Sequence, residues 1–457
     1  MLDVVPADAG GPQRGLRARI VSGSSWTLVT RLAAMVSVLV ANGLAARELS
    51  QSDFGVYTLA TSVVTTAAIF AHFGLADTVI RLVSEALALG QPGRARGAIR
   101  TVVRLNVAGG LVVGGALAIF GGRLIAHDLF HSRPLALAMV TIGAWAAAEG
   151  IRFPISEAFR GLHDIRLASL LGDPCRSVLL AVAFGVLAVV SHTTTLTVAI
   201  AVSLAASTIT MALAGLVLRL RVQQFGVRAR NVGYGFVLAI AVPLTLTDLT
   251  GLIVAQGDNW VVGAFRSAKD VAVYGAAGRL DGILALPLFV MNGVIAPLIA
   301  ELWAQGKRVQ LETMVRGATT LATIPCLIGW VAFAVAGGRL MRAAYGGNGY
   351  ARGGHIVAIL AFGTMLGVAA GPNTFALIMT GNHRLAAAAA ALTVVVTVGG
   401  EIVGVHVAGL TGVAVASAAG VGVQNVLLTF AARRRLGIWT HASISPRRVR
   451  AFLQLRD

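Results

Sequence analysis

Residues Leu49–Ala60 read LSQSDFGVYTLA, and residues Arg266–Ala277 read RSAKDVAVYGAA. Laid over one another, Ser50, Asp53, Val56, Tyr57 and Ala60 match Ser267, Asp270, Val273, Tyr274 and Ala277, an offset of 217. Working outward, Glu85, Gly90 and Arg100 match Glu301, Gly306 and Arg316 at an offset of 216. The run GGRL at Gly121–Leu124 recurs as GGRL at Gly337–Leu340 at the same offset. Beyond it, RGLHDIRLA from Arg160 is similar to TGNHRLA from Thr380 across a two-residue gap. Any one of these matches is within reach of chance; their collinearity marks an internal duplication, which decides architecture before any single motif does.

The duplicated unit is apolar. The chain has 457 residues, of which 56% are hydrophobic and only 12% charged, and its mean hydropathy is +0.81. A soluble chain would carry about a quarter charged residues to solvate its surface. Here uninterrupted blocks such as Leu28–Leu44, Val102–Phe120, Leu135–Ala148 and Val178–Val190 approach, with their flanks, the roughly 20 residues that cross a bilayer as a helix. Cutting at charged and Gly/Pro-rich punctuation predicts about twelve spans, starting near Ile20, Phe54, Val102, Leu135, Leu167, Thr195, Gly233, Val271, Ala318, Gly354, Leu385 and Thr411. The expected fold is therefore an all-α membrane protein of two six-helix lobes around a central cavity. The lobes are expected at 20–230 and 231–432, between a cytoplasmic segment 1–19 and a basic cytoplasmic tail 433–457. Six is even, so both lobes insert the same way up and are parallel repeats about an axis along the membrane normal. Two bundles facing across a cleft can rock to give alternating access.

A net charge of +18 invites a nucleic-acid reading, but the charges fall between the spans and not along one face of a soluble domain. With both termini placed inside, about 25 of the 37 Lys+Arg fall in cytoplasmic segments and about 8 outside, the bias that sets membrane topology. The clusters Arg94, Arg96 and Arg100; Arg219, Arg221, Arg228 and Arg230; and Arg433, Arg434, Arg435, Arg447, Arg448 and Arg450 read as topology determinants touching anionic lipid heads, and nucleic acid is excluded as a partner. No small-residue cleavage site follows the first apolar run, so no removable signal peptide is expected. Cys175 and Cys326 both sit in apolar spans and read as small hydrophobes without a disulfide or metal framework.

A charge at mid-bilayer costs about 2.5–3.5 kcal/mol on insertion scales and calls for a partner or a water-filled cavity. Arg31 lies in the first span, and Asp248, at the repeat offset, lies in the seventh. Equivalent positions in parallel repeats lie across the pseudo-axis, so these two either line the cleft as a substrate or coupling-ion site or pair to staple the lobes. Asn42 and Asn259 share the offset, near the outer ends of the same helices, and are further candidates for the substrate-binding cavity. Glu149 and Arg152, and Asp173 and Arg176, are spaced i,i+3, which puts each pair on one helix face for local neutralisation. Arg279 and Asp281 are spaced i,i+2 and point to different faces. Arg31, Arg176 and Arg279 are the candidate anion-binding residues, because a guanidinium presents a planar fork that suits phosphate. Glu401, Gln424 and Asn425 are candidates to hold a cation together with Asp248. There is no P-loop, no H-E-x-x-H and no G-x-S-x-G; no catalytic residue, metal or cofactor is called for.

One family carries these features together. A-R-x-L-x-x-x-D-F-G-x-Y (Ala46–Tyr57), F-G-L-A (Phe73–Ala76), R-L-V-S-E (Arg81–Glu85), D-N-W-V-V-G-A-F (Asp258–Phe265), V-Y-G-A-A-G-R-L (Val273–Leu280) and Pro297 closing the eighth span resemble the polysaccharide flippases. These form the polysaccharide transporter branch of the multidrug/oligosaccharidyl-lipid/polysaccharide (MOP) exporter superfamily. The resemblance covers nearly the whole chain. It implies a two-lobed transporter, and not an enzyme, that flips a polyprenyl-diphosphate-linked oligosaccharide across the cytoplasmic membrane for cell-surface polysaccharide synthesis. Its implied partners are polysaccharide polymerase and glycosyltransferases. Arginines of the central cavity are implied to hold the diphosphate, and Arg31 and Arg279 lie in the comparable helices. The lipid II flippases of the superfamily carry extra C-terminal helices that are not found here. Drug/cation antiporters share the fold and keep acids in the first or seventh helix: Arg31 departs from that pattern and Asp248 fits it. A membrane glycosyltransferase or ligase would place its acids and histidines in a sizeable outer loop, and the loops here offer only Arg47, Glu48 and Asp53, or His127, Asp128 and His131.

Overall fold

In a computed structural model, residues 12–190, 194–225 and 228–443 are described, and among them helix is the only regular structure. The first half comprises α1 (Pro12–Glu48), α2 (Gln51–His72), α3 (Leu75–Ala88), α4 (Pro92–Ala116), α5 (Arg133–Leu137), α6 (Met139–Gly161), α7 (Ile165–Leu171), α8 (Asp173–Val190) and α9 (Leu196–Gln223). The second comprises α10 (Tyr234–Phe265), α11 (Ala268–Asp281), α12 (Leu286–Ala304), α13 (Arg308–Tyr345), α14 (Gly354–Ala370), α15 (Asn373–Met379) and α16 (His383–Leu436). α4 runs on as a wider π-wound stretch, Leu117–His127.

Nine helical stretches among the described residues are long and apolar enough to cross a membrane. One of them, α16, is a hairpin: Ala408 and Gly409 leave helical geometry, and Gly409 takes φ 62°, where glycine alone is unstrained. Its two arms press together at Gly404 and Gly412, where a Cβ on Gly412 would stand 2.0 Å from the Gly404 carbonyl oxygen. Counting the hairpin twice, and adding α6, whose charged residues lower its hydropathy, and the apolar α10 recovers twelve crossings among the described residues. Two expectations need correction. α1 is already helical from Pro12, not from Ile20, and α12 continues through Pro297 to Ala304. The expected tail residues Arg447, Arg448 and Arg450 lie outside the described residues.

The duplicated stretch explains its own conservation between the halves. Ser50 caps α2 and Ser267 caps α11: each hydroxyl accepts from the backbone N–H three residues on, at 3.1 and 3.3 Å, and donates to the Asp there. Such a cap satisfies one of the orphan amides of a helix start and puts a negative charge on its positive end. Tyr57 and Tyr274 follow one turn later, buried, with their hydroxyls on Ser203 (2.9 Å) and Asp258 (2.7 Å).

The halves meet where α2 packs on α11. A Cβ on Gly55 would lie 1.8 Å from the Ala268 carbonyl oxygen, and one on Gly275 would lie 2.7 Å from the Thr58 methyl. Thr58 and Gly275 are themselves equivalent by the repeat offset, so their contact lies on the pseudo-axis. Phe54, Tyr345 and Tyr350 cluster beside it, with ring centroids 5.6–6.2 Å apart, and the Arg47 guanidinium donates to the Ala343 carbonyl. This end of the molecule is closed.

Within the first half, a buried ion network ties α6 to α8. Arg152, 1% exposed, bonds Glu149 at 2.5 Å and Asp173 at 2.7 Å, while Arg176 Nε stands 3.6 Å from Glu149. The sequence spacing had paired Asp173 with Arg176; the structure crosses the partners between helices instead. The reason is local. Gly172 breaks the span at ψ −138°, Pro174 follows at the first turn of α8, and Asp173 sits at that helix start facing α6.

Two outcomes are expected. Gly55→Val forces α2 from α11 and costs about 1–3 kcal/mol by overpacking, read as a lowered Tm of the detergent-purified protein; Gly115→Val, whose Cβ meets nothing within 4 Å, leaves Tm unchanged. Arg152→Ala strands two carboxylates and costs about 3–5 kcal/mol, read as a collapse of membrane yield and Tm that Arg31→Ala does not cause.

Candidate functional site

Away from the closed end, the halves separate around a cavity of about 660 Å³. Its walls come from α1, α3, α6, the α7–α8 break, α10, α11 and α12. Two chain breaks shape it: Gly74, in the left-handed region at φ 67°, between α2 and α3, and the 3₁₀ turn Gly282–Ala285 between α11 and α12. Gly74 also lets the chain approach α10, where a Cβ would stand 2.2 Å from the Ala241 carbonyl oxygen.

Four arginines and four acids line the cavity: Arg31, Arg160, Arg176 and Arg279 against Asp77, Glu157, Asp173 and Asp248. The balance hides an uneven distribution. Arg160 is bound by Glu157 at 3.2 Å, Asp173 by Arg152, and Arg176 leans on Glu149 with its Nε otherwise unbonded. Arg31 and Arg279 have no carboxylate within 4 Å among the described residues. Arg31 lies over the Phe289 ring, its guanidinium carbon 4.2 Å from the centroid. Arg279 reaches from α11 towards α2, with one nitrogen 3.5 Å from the Thr58 hydroxyl and the guanidinium carbon 5.7 Å over Phe54. Cation–π contacts hold a guanidinium in place without neutralising it, contributing about 0.5–1 kcal/mol at exposed sites. Asp281 turns the other way and accepts from Thr364 on α14 at 2.9 Å.

The four charged candidates Arg31, Arg176, Arg279 and Asp248 thus line one cavity. Arg31 and Asp248 line the same cavity but form no ion pair among the described residues. A staple between the lobes at this pair is therefore not made in this conformation.

The remaining candidates lie elsewhere. Asn42 is buried 11 residues along α1 from Arg31, roughly 16 Å at 1.5 Å per residue, and donates to the Val38 carbonyl at 2.7 Å. Asn259 is outside the cavity lining, with its Oδ1 buried and unbonded. Asn425 is engaged by Asn373 at 3.0 Å, and Gln424 is not among the lining residues. Glu401 is 1% exposed, and neither carboxylate oxygen finds a donor among the described residues. It lies against Asp258, with Oε2 3.8 Å from the position of a Cβ on Gly257. Ten residues of α10, about 15 Å, separate Asp258 from Asp248, so the grouping of Glu401, Gln424 and Asn425 with Asp248 is not found. Helix rise settles both corrections: residues sharing a repeat offset or a span need not share a depth.

Sequence reasoning missed Asp77, Glu157 and Arg160 in the lining and Asp258 beside Glu401. The signals were present. Asp77 follows the Phe73–Gly74 break, Glu157 and Arg160 sit i,i+3 just after Pro154, and Asp258 stands inside an apolar span.

A protein-family model described as "Polysaccharide biosynthesis protein" matches residues 20–303. No curated protein matches the chain. Among solved structures, one similar fold is the inward-facing conformation of a multidrug resistance MATE family transporter of the MOP superfamily. It is 15% identical, with a TM-score of 0.71 over 90% of this chain and 98% of that one. A mutant of the Vibrio cholerae MATE transporter VcmN is 15% identical, with a TM-score of 0.64 over 92% and 98%. A MOP superfamily transporter from Pyrococcus furiosus, described as having a binding pocket of reverse polarity, is 15% identical, with a TM-score of 0.60 over 92% and 95%. With apolar helices of membrane-crossing length, the fold of the MATE transporters and a family match over more than half its length, the chain is a multi-pass membrane protein that belongs to the polysaccharide biosynthesis protein family.

Proposed function

We propose that the chain is a flippase that moves a polyprenyl-diphosphate-linked oligosaccharide from the cytoplasmic to the outer leaflet of the cytoplasmic membrane by alternating access, with both termini cytoplasmic. The observation that carries this reading is the pair Arg31 and Arg279, two cavity guanidiniums with no carboxylate partner among the described residues. A diphosphate supplies the acceptors that such planar forks lack. A cavity of about 660 Å³ is within the roughly 300–1,000 Å³ of small-ligand sites. It takes the diphosphate and the first sugars, while the polyprenyl tail stays in the lipid.

Transport needs no nucleotide in this scheme. A negative charge moving outward down an inside-negative potential gains about 2.3 kcal/mol per 100 mV. The arginines lower the dielectric barrier in between, and their attraction to the headgroup must be weaker than the gain on release or the cargo would stay bound. Product glycans would then pass to a polymerase and glycosyltransferases working on the same lipid carrier.

Arg31→Ala and Arg279→Ala are each expected to abolish flipping of a polyprenyl-diphosphate oligosaccharide in reconstituted vesicles, and surface polysaccharide in cells, while the protein still inserts and keeps its Tm. Full flipping by both variants overturns the cationic-cavity reading.

A second reading, a cation-coupled antiporter of small organic molecules, is favoured by Asp77 and Asp248 both lining the cavity and by Glu401 lying against Asp258 away from water. Carboxylates brought together in low dielectric call for a cation between them. Under that reading Asp248→Asn or Glu401→Gln stops gradient-driven efflux of organic cations and leaves surface polysaccharide intact; under the flippase reading no such efflux is found in the parent protein.

A further inference from the structure

A second crevice, of about 770 Å³, lies where the N-terminal end of α4 meets the C-terminal end of α9. Five arginines line it: Arg96, Arg100, Arg104, Arg219 and Arg228, over a floor that includes Val103 and Leu218. No acidic residue is among its lining residues. The arginines just beside it are paired, Arg94 with Glu85 and Arg221 with Asp164, each at 3.3 Å. Arg100, Arg219 and Arg228 have no ion-pair partner among the described residues, and Arg104 reaches only the neutral Tyr234 hydroxyl at 3.5 Å. Like charges gathered in one crevice repel unless an anion sits among them.

The repeat supplies a control within the same chain. At the offset of 216, Arg100, Val103 and Arg104 correspond to Arg316, Thr319 and Thr320. In the second half that face is covered by the chain itself. Arg316 donates to the His441 carbonyl at 3.2 Å and to Glu312 at 3.3 Å, Thr319 donates to the Thr440 carbonyl at 3.1 Å, and the Ser443 amide donates to Thr320 at 2.9 Å. In the first half, the stretch after α9 takes a different face of α4. The Arg230 amide donates to the Gly93 carbonyl at 2.8 Å and Thr101 to the Val232 carbonyl at 3.0 Å. The arginine face is left open.

We propose that this crevice binds the phosphate headgroup of an anionic phospholipid from the leaflet it faces. The acyl chains continue along the same two helices, where Val107, Leu111, Leu213, Leu216 and Leu220 are exposed on the way to mid-membrane. Charge complementarity selects the head, and the continuity of a basic crevice with a lipid-facing apolar surface selects a lipid over a soluble anion. Juxtamembrane arginines each favour anionic lipid; five around one crevice turn a diffuse attraction into a site. The bound lipid does for the first half what residues 440–443 do for the second: it fills the gap between the ends of two spans.

The test uses the full-length protein in phosphatidylcholine nanodiscs with and without phosphatidylglycerol, with bound lipid read by native mass spectrometry. The parent protein is expected to retain phosphatidylglycerol, and Arg100→Gln with Arg219→Gln to lower its apparent affinity at least about tenfold. The charge-matched Arg434→Gln with Arg435→Gln, on the basic end of α16, is expected to bind as the parent does. Equal retention by the crevice double variant, or equal loss in both doubles, overturns the proposal. Displacement of the lipid by inorganic phosphate at matching concentration also overturns it, in favour of a soluble anion site. If the crevice variant does not fold, a headgroup photo-crosslinker on phosphatidylglycerol in the parent protein decides the matter: adducts on residues 96–104 or 215–229 support the site, and adducts elsewhere refute it.

Discussion

The contact of α2 with α11 organises this molecule. Gly55 lets one backbone lie directly on the other at Ala268, and Thr58 meets its repeat equivalent Gly275 on the pseudo-axis. Two helices can approach this closely only where side chains are absent, and in lipid such close packing replaces the hydrophobic drive that joins soluble domains. Besides this contact the halves meet where α3 and α4 pack on α10, Gly74 lying against Ala241, and the cavity is the volume left between the spans that do not meet. The alternating access proposed above needs this arrangement to be reversible. A contact made of small residues and a few aromatic rings can break without exposing a large apolar surface to water.

Polar chemistry inside the membrane divides into two kinds. The Arg152 guanidinium is structural: buried, multiply bonded and held between Glu149 of α6 and Asp173 of α8. Arg31 and Arg279 are different, held by aromatic faces and a single hydroxyl, so their hydrogen-bonding capacity is left for something else. The distinction matters because an intramembrane arginine is costly in either role. It is offset by carboxylates inside the protein in the first case, whereas in the second the described residues supply no carboxylate.

The two halves are copies in topology but not in electrostatics. The first half lends the cavity three of its four arginines and three of its four acids, all but Arg279 and Asp248. The second keeps Asp258, Asp281 and Glu401 within its own bundle, outside the cavity lining. The same divergence reaches the membrane surface, where one half covers the end of α13 with its own chain and the other lines a crevice beside α4 with five arginines and, among the described residues, no acid. Duplication supplied two equal scaffolds, and each then acquired a separate set of charges.

Much of the architecture was legible in the chain alone. Twelve spans, the duplication and the parallel sense of the halves follow from hydropathy, from a collinear offset and from the parity of six, because a bilayer lets backbone cross it in few ways. The intramembrane charges could be recognised as unusual for the same reason. Which of them share a cavity could not be read, since that depends on helix rise, on the breaks at Gly74, Gly172 and Gly282–Ala285, and on which side chain another helix intercepts. Spacing paired Asp173 with Arg176 because i,i+3 neighbours share a face; the tertiary fold brought Arg152 nearer. The polar residues Glu401, Gln424 and Asn425 of the last two spans read as cation ligands beside Asp248, and about 15 Å of α10 separates Asp248 from the Asp258 that Glu401 lies against. Sequence determines where charge enters the membrane, and only the packing of the spans decides what each charge faces there.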